Sequence, residues 1–149
     1  MTMPAGKYYI GDLCYVLHDE WDEVCEIIFQ TDHASGVRDG EFTMKDGRRF
    51  AIYSTAYGDG QYYDNYGRAY PVDAGSIGCV LESDIDVGNP DNNLSLGSIV
   101  EFTTDFETSG DRFTSKDWDG IIRFGIVEVD TDPVYDEEYG DVETDEGEY

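Results

Sequence analysis

From Tyr53 to Gly78 the chain reads YSTAYGDGQYYDNYGRAYPVDAGSIG, and Gly58, Gly60, Gly67, Pro71, Gly75 and Gly78 interrupt it too often for a helix of ordinary length. The stretch is either a set of tight turns joining strands or a binding loop built on such turns. Tyr62 and Tyr63 lead into Asp64, Asn65, Tyr66 and Gly67, and Ala69 to Val72 lead out, which predicts a hairpin. Pro71 needs an edge position in it, because proline cannot donate to a ladder. Ile77 to Leu81 reads as a short buried strand.

Similar patterning recurs on either side. Tyr8, Ile10, Leu13, Tyr15 and Leu17 predict a first strand ending at His18, with Gly11 and Asp12 as a bulge or bend. EFTMKDGRRFAIYSTA predicts two strands about a two-residue Asp46-Gly47 turn. Ser98 to Phe106 and Ile121 to Val129 predict two more strands, paired as a hairpin, while residues 83–97 are rich in turn formers and predict a surface loop. Only Asp19 to Gln30 has helical period: Trp21, Val24, Cys25 and Ile28 fall at i, i+3, i+4 and i+7, with Asp19 placed to cap.

The expected fold is α+β, a single domain over residues 1–130. A mostly antiparallel, twisted sheet of about six to eight strands packs against one amphipathic helix. Residues 131–149 predict an acidic, flexible tail, since few apolar side chains there can offset the entropy of ordering. No apolar run approaches the length of about 20 residues that a membrane span needs, and three cysteines in an odd count agree with a reducing compartment. A soluble, cytoplasmic protein without a membrane partner is the expectation.

Specific chemistry is sparse. The glycine groups match neither phosphate-binding fingerprint, and nearby acids would repel phosphate. Asp59, Asp64 and Asp73 could offer oxygen ligands to a cation, but their spacing departs from the calcium loop, so turn formation accounts for them better. Cys14, His18, Cys25 and His33 lack zinc-knuckle spacing. A thiol enzyme using Cys14 and a histidine rests on two residues that any fold could bring together by chance. These residues imply no cofactor. A metal or small-ligand module, possibly an enzyme, centred on Asp59, Asp64, Asp73 and Cys14 is the rival reading.

Charge is the stronger clue. The chain carries 34 acids against 9 lysines and arginines, for a net charge of −25, and residues 1–127 alone hold 23 acids against those 9 bases. Such a surplus makes nucleic acid and anionic membrane poor partners and a basic protein a good one. Spread evenly over the roughly 7,600 Å² expected for this mass, it amounts to one net charge per about 300 Å². Duplex DNA, taken as a rod, carries one per roughly 100 Å². Imitating DNA therefore needs acids concentrated on one face. The candidates are Asp19, Glu20, Asp22, Glu23 and Glu26 on the helix, Asp84, Asp86 and Asp91 in the loop, and Asp105, Glu107, Asp111, Asp117 and Asp119. A homodimer could extend such a face.

The segments GDLCYV, WDEVC, STAYGDG and VDAGSIG, spread over about half the chain from Tyr9 to Cys79, resemble a group of small bacterial and bacteriophage proteins of unassigned function. That resemblance implies an origin and no catalytic residues. In charge, though not in sequence, the chain is similar to DNA-mimic inhibitors that phages and mobile elements direct against host defence enzymes. The implied function is non-enzymatic inhibition of a basic host protein, one that handles DNA or acts in defence. An acidic immunity or regulatory protein that neutralises a basic partner is the plainer alternative.

Overall fold

Burial on both faces of one sheet governs the architecture. In the computed structural model, which describes residues 2–29, 39–55, 58–110 and 120–131, eleven strands divide between two antiparallel sheets. They are β1 (Thr2–Met3), β2 (Gly6–Gly11), β3 (Gly40–Thr43), β4 (Arg49–Ser54), β5 (Gly60–Asp64), β6 (Ala69–Val72), β7 (Ser76–Leu81), β8 (Ser98–Phe102), β9 (Phe106–Ser109), β10 (Ile121–Phe124) and β11 (Val127–Asp130). A five-stranded sheet runs β3-β4-β7-β2-β8 and a six-stranded sheet β1-β9-β10-β11-β5-β6. The helix, α1, spans Trp21–Phe29. An α+β fold with one helix is thus observed, with more strands than expected and two sheets in place of one.

The five-stranded sheet forms the middle layer. Alternate residues of its central strands serve two cores: Tyr8, Ile10, Ala51, Tyr53, Ile77 and Cys79 pack with Phe106, Ile122, Phe124 and Val129 of the other sheet. Tyr9, Phe50, Ile52 and Val80 instead pack with Leu13, Val16 and Leu17 and with Val24 and Ile28 of α1. Because side chains alternate across a strand, a strand between two layers must be apolar at every position. YYI in β2 and FAIY in β4 meet that demand.

Several local expectations change. The first strand stops at Gly11, after which Leu13–Tyr15 forms a 3-10 turn capped by Asp12, so the Gly11-Asp12 interruption is a strand end. The β3–β4 connection is longer than two residues: Met44 and Arg48 are joined by a backbone bond of 2.7 Å, and Gly47 turns the chain at φ +98°. Ser98 to Phe106 is not one strand paired with 121–129. After Phe102 the chain crosses to the other sheet, where Phe106 begins β9 and stacks on Phe102 at 3.8 Å. Residues 121–129 fold back on themselves instead, because Gly125 (φ +60°) turns β10 into β11. Pro71 lies in β6, at the edge of the six-stranded sheet as expected. Thr131 is buried and bonded to Gly120, while residues 132–149, the remainder of the predicted tail, lie outside the described residues. Among the described residues no helix is long and apolar enough to cross a membrane.

Gly78 exposes how closely the layers meet. A Cβ there would lie 2.3 Å from the Ala51 carbonyl oxygen and 2.8 Å from Leu13 Cδ1, so the 3-10 turn rests directly on the β7 backbone. Gly78→Ala is expected to cost at least about 2 kcal/mol by overpacking. Urea unfolding measures this, and an unchanged midpoint would mean that the turn can lift away freely.

Candidate functional site

Three of the glycine- and aspartate-rich segments meet at one end of the middle sheet. Asp12 follows β2 and has no solvent exposure. Its Oδ1 accepts the Cys14 N–H at 3.0 Å, and its Oδ2 accepts the N–H groups of Asp73 and Ala74, each at 2.7 Å. The Cys14 thiol also lies close to the Asp12 carboxylate, and the Tyr15 hydroxyl close to that of Asp73. Burial foremost, then the Asp12 carboxylate, with Asp73 and Asp59 nearby, pushes the Cys14 thiol well above its ordinary range. A thiolate is the nucleophile, so this environment suits a structural thiol. Burial likewise raises Cys25, and raises Cys79 to about 12.

The three rim aspartates do not form one site. Gly60 pairs with Val72 across the β5–β6 hairpin, which puts Asp59 and Asp73 at its open end, beside Cys14 and Asp12. Asp64 ends β5 at the other end, about 17 Å from Asp59 at the usual rise per residue. There it is consumed by its own turn. Oδ1 accepts the N–H groups of Tyr66 and Arg68, and Oδ2 accepts the Arg68 Nε–H at 2.8 Å and the Tyr70 hydroxyl at 2.7 Å. Among the described residues no group of three or more His, Cys, Asp or Glu side chains is arranged to hold a metal ion. His18 is exposed and meets Asp91 at 3.7 Å, and His33 lies outside the described residues.

The acids named from the sequence separate into two regions. Asp19, Glu20, Asp22, Glu23 and Glu26 run from the approach to α1 along the helix, and two neighbouring segments close around its start. Arg48, from the β3–β4 turn, joins Glu20 and Asp46 at 2.7 Å each and donates to the Asp84 carbonyl at 3.1 Å. Glu23 accepts the Lys45 N–H at 2.7 Å, and Asn89 donates to Asp19 at 3.1 Å. The Asp86 carboxylate accepts the Gly88 N–H, and its carbonyl accepts from Asn92, which in turn accepts the His18 N–H. Burial raises the Asp84 carboxyl, Arg48 opposes this and Asp46 adds to it. Asp19, Asp22, Glu26, Asp46, Asp86 and Asp91 remain exposed around this junction.

Asp105 and Glu107 lie elsewhere, at β9 in the six-stranded sheet, on the far side of the middle layer from α1. Asp105 accepts the Ala5 N–H and Glu107 the Thr2 hydroxyl. Asp111, Asp117 and Asp119 fall outside the described residues. Sequence reasoning missed Asp12 as a structural centre, although an aspartate two residues before a turn's N–H is the signature of a side-chain cap. The sequence matches no family model and no curated protein, and the fold matches no solved structure.

Two outcomes follow from these environments. Burial opposes ionisation of Asp64, yet Tyr70, the Arg68 and Tyr66 N–H groups and the Arg68 charge outweigh it, so its carboxyl lies below the usual range when folded. Its stabilising effect is complete above the unfolded value of about 4 and fades as pH falls through the lower folded value. Asp64→Asn is expected to cost about 1–3 kcal/mol near neutrality. The gap from wild type should narrow in unfolding curves taken down to about pH 2, and a gap independent of pH would refute the ionic role. At Cys14, Asp12→Asn removes the negative charge beside the thiol and is expected to speed alkylation at about pH 8 by about tenfold for each unit of pKa recovered. Cys14→Ser identifies the signal, and Cys79 staying unlabelled shows that the fold is intact.

Proposed function

We propose that this chain is a non-enzymatic inhibitor of the phage or mobile-element kind, which occupies the DNA site of a basic, DNA-handling or defence protein through an acidic face. The face is built from α1, the residues that lead into it, the β3–β4 turn and residues 82–93. One observation carries the reading. Asp19, Asp22, Glu26, Asp86 and Asp91 are exposed around one junction whose main cation, Arg48, is already engaged by Glu20 and Asp46. Among the described residues most other cations are also used internally, since Lys7 meets Glu82, Arg49 meets Glu41, Arg68 meets Asp64 and Arg123 meets Glu128, which leaves Lys45, exposed in the β3–β4 turn, against the larger number of exposed acids. The remaining acids therefore face solvent as a surplus.

Such a face steers a cationic partner and discriminates against anionic ones, and its attraction falls with salt. Glu20 and Glu23 act within the fold, so exposed Asp22 and Glu26 are the informative positions. The double variant Asp22→Lys/Glu26→Lys is expected to lose at least about tenfold in affinity for a partner captured from bacterial lysate at low salt. Duplex DNA and roughly 0.5 M salt should each displace that partner from the wild-type chain. A charge-matched control, Glu101→Lys/Asp105→Lys, alters acids away from the face and should still capture it. Equal capture by both variants, or failure of DNA to compete, refutes the reading.

A further inference from the structure

The outer face of the six-stranded sheet has no third layer over it among the described residues, and it contains a groove of about 300 Å³ lined by Tyr63, Asp64, Asn65, Ile121, Glu128 and Asp130. That volume is at the small end for ligand clefts and suits one side chain better than a cofactor. Strand register explains the composition. Tyr63 lies between Asp130 on β11 and Ala69 on β6, and Ile121 lies on the far side of Asp130, so an aromatic ring, a carboxylate and an aliphatic side chain follow one another across the sheet.

The walls are fixed by bonds made within the fold. Asn65 exchanges bonds with Glu128, its N–H donating to the Glu128 carbonyl and its Oδ1 accepting the Glu128 N–H, both at 2.9 Å. Gln61 donates to the Tyr63 hydroxyl at 2.7 Å. Tyr63 is nonetheless 53% exposed, one of the few large apolar side chains left in water. Glu128 meets Arg123 only at 3.5 Å, with both side chains well exposed.

We infer that this groove receives an arginine side chain of the basic partner, with the guanidinium stacked on Tyr63 and forked toward Glu128. The inference rests on the proposed binding of a basic protein and adds to it a discrete anchor on the opposite side of the middle sheet from α1, which an extended basic arm of that partner reaches by passing around the sheet edge. Charge complementarity selects a cation, since Glu128 and Asp130 line the groove together with Asp64, whose carboxylate is taken up by its own turn. Ring and carboxylate together favour the planar guanidinium over an ammonium, because it can stack and form directed bonds at once. Ile121 supplies apolar surface for the methylene stem. At the tip of the same hairpin the chain makes this kind of contact with itself, where Arg68 lies 5.2 Å from the Tyr66 ring centre.

A monovalent probe separates this anchor from general attraction to an acidic surface: a short Gly/Ser peptide holding one arginine, compared with versions holding lysine or uncharged citrulline. In NMR titrations of the whole chain, the arginine peptide is expected to shift the amides of residues 61–65, 121 and 128–130. Tyr63→Leu, which leaves the net charge unchanged, should weaken it about three- to tenfold, and Tyr63→Phe should not. Glu128→Gln should weaken it as well, while the lysine peptide binds less well and the citrulline peptide not at all. Native thermal midpoints for the variants exclude unfolding as the cause. Shifts confined to α1 and residues 82–93, or equal binding by Tyr63→Leu, overturn the groove and leave the acidic-face reading standing. Groove binding that survives in Asp22→Lys/Glu26→Lys while that variant loses the captured partner supports both.

Discussion

The fold turns on a carboxylate placed where water cannot reach it. Moving an ion such as Asp12 out of water costs several kcal/mol, and no lysine or arginine stands against it among the bonds it makes. Three backbone N–H groups do so instead, each a charge-assisted bond worth about 1.5–3 kcal/mol. Gain and cost are thus of similar size, and the net stabilisation is small. What the arrangement supplies is position. One side chain fixes the end of β2, the 3-10 turn that follows it and the turn between β6 and β7, and β6 belongs to the other sheet. The two sheets are registered at this end by Asp12, and near β9 by the buried bond between Tyr53 and Thr108 at 2.7 Å.

Between those polar points the sheets are joined by apolar and aromatic contact, and this decides how much could be read beforehand. A helix with one buried face has a clear period, and α1 was legible within two residues at its start and one at its end. The β5–β6 hairpin was legible because Gly67 and Pro71 each have a specific backbone requirement. The division into two sheets was not, since strands buried on both faces lose the alternation that would show which side faces which layer. Phe102 and Phe106 illustrate the difficulty. They read as parts of one run, yet they belong to different sheets and stack across the crossing.

The site was legible in its residue types and not in its grouping. Asp59, Asp64 and Asp73 are close in sequence, but a hairpin separates positions along its length as surely as it joins them across its width. Asp64 went to the turn, and the other two joined Asp12 and Cys14. Composition likewise revealed the acids and could not reveal which of them the fold would use. Glu20 and Glu23 serve as acceptors between α1 and the β3–β4 turn, while Asp22 and Glu26, one helical turn apart on the outer side, stay exposed and their side chains make no hydrogen bond or ion pair among the described residues.

That division of labour bears on why so acidic a chain can hold this shape. Each cation is scarce, and the fold spends Arg48 where it touches three segments at once, binding Glu20, Asp46 and the carbonyl of Asp84. Local repulsion is thereby relieved where the segments must meet, and it is left standing on the outside, where water and salt screen it. The surplus still disfavours the compact state, because folding brings like charges closer together. A cationic partner seated on the outer acids would remove part of that repulsion in the folded state alone, so binding and stability would rise together. In such a molecule the acidic surface is a strain carried by the native state, and a basic surface of matching shape would relieve it more locally than salt can.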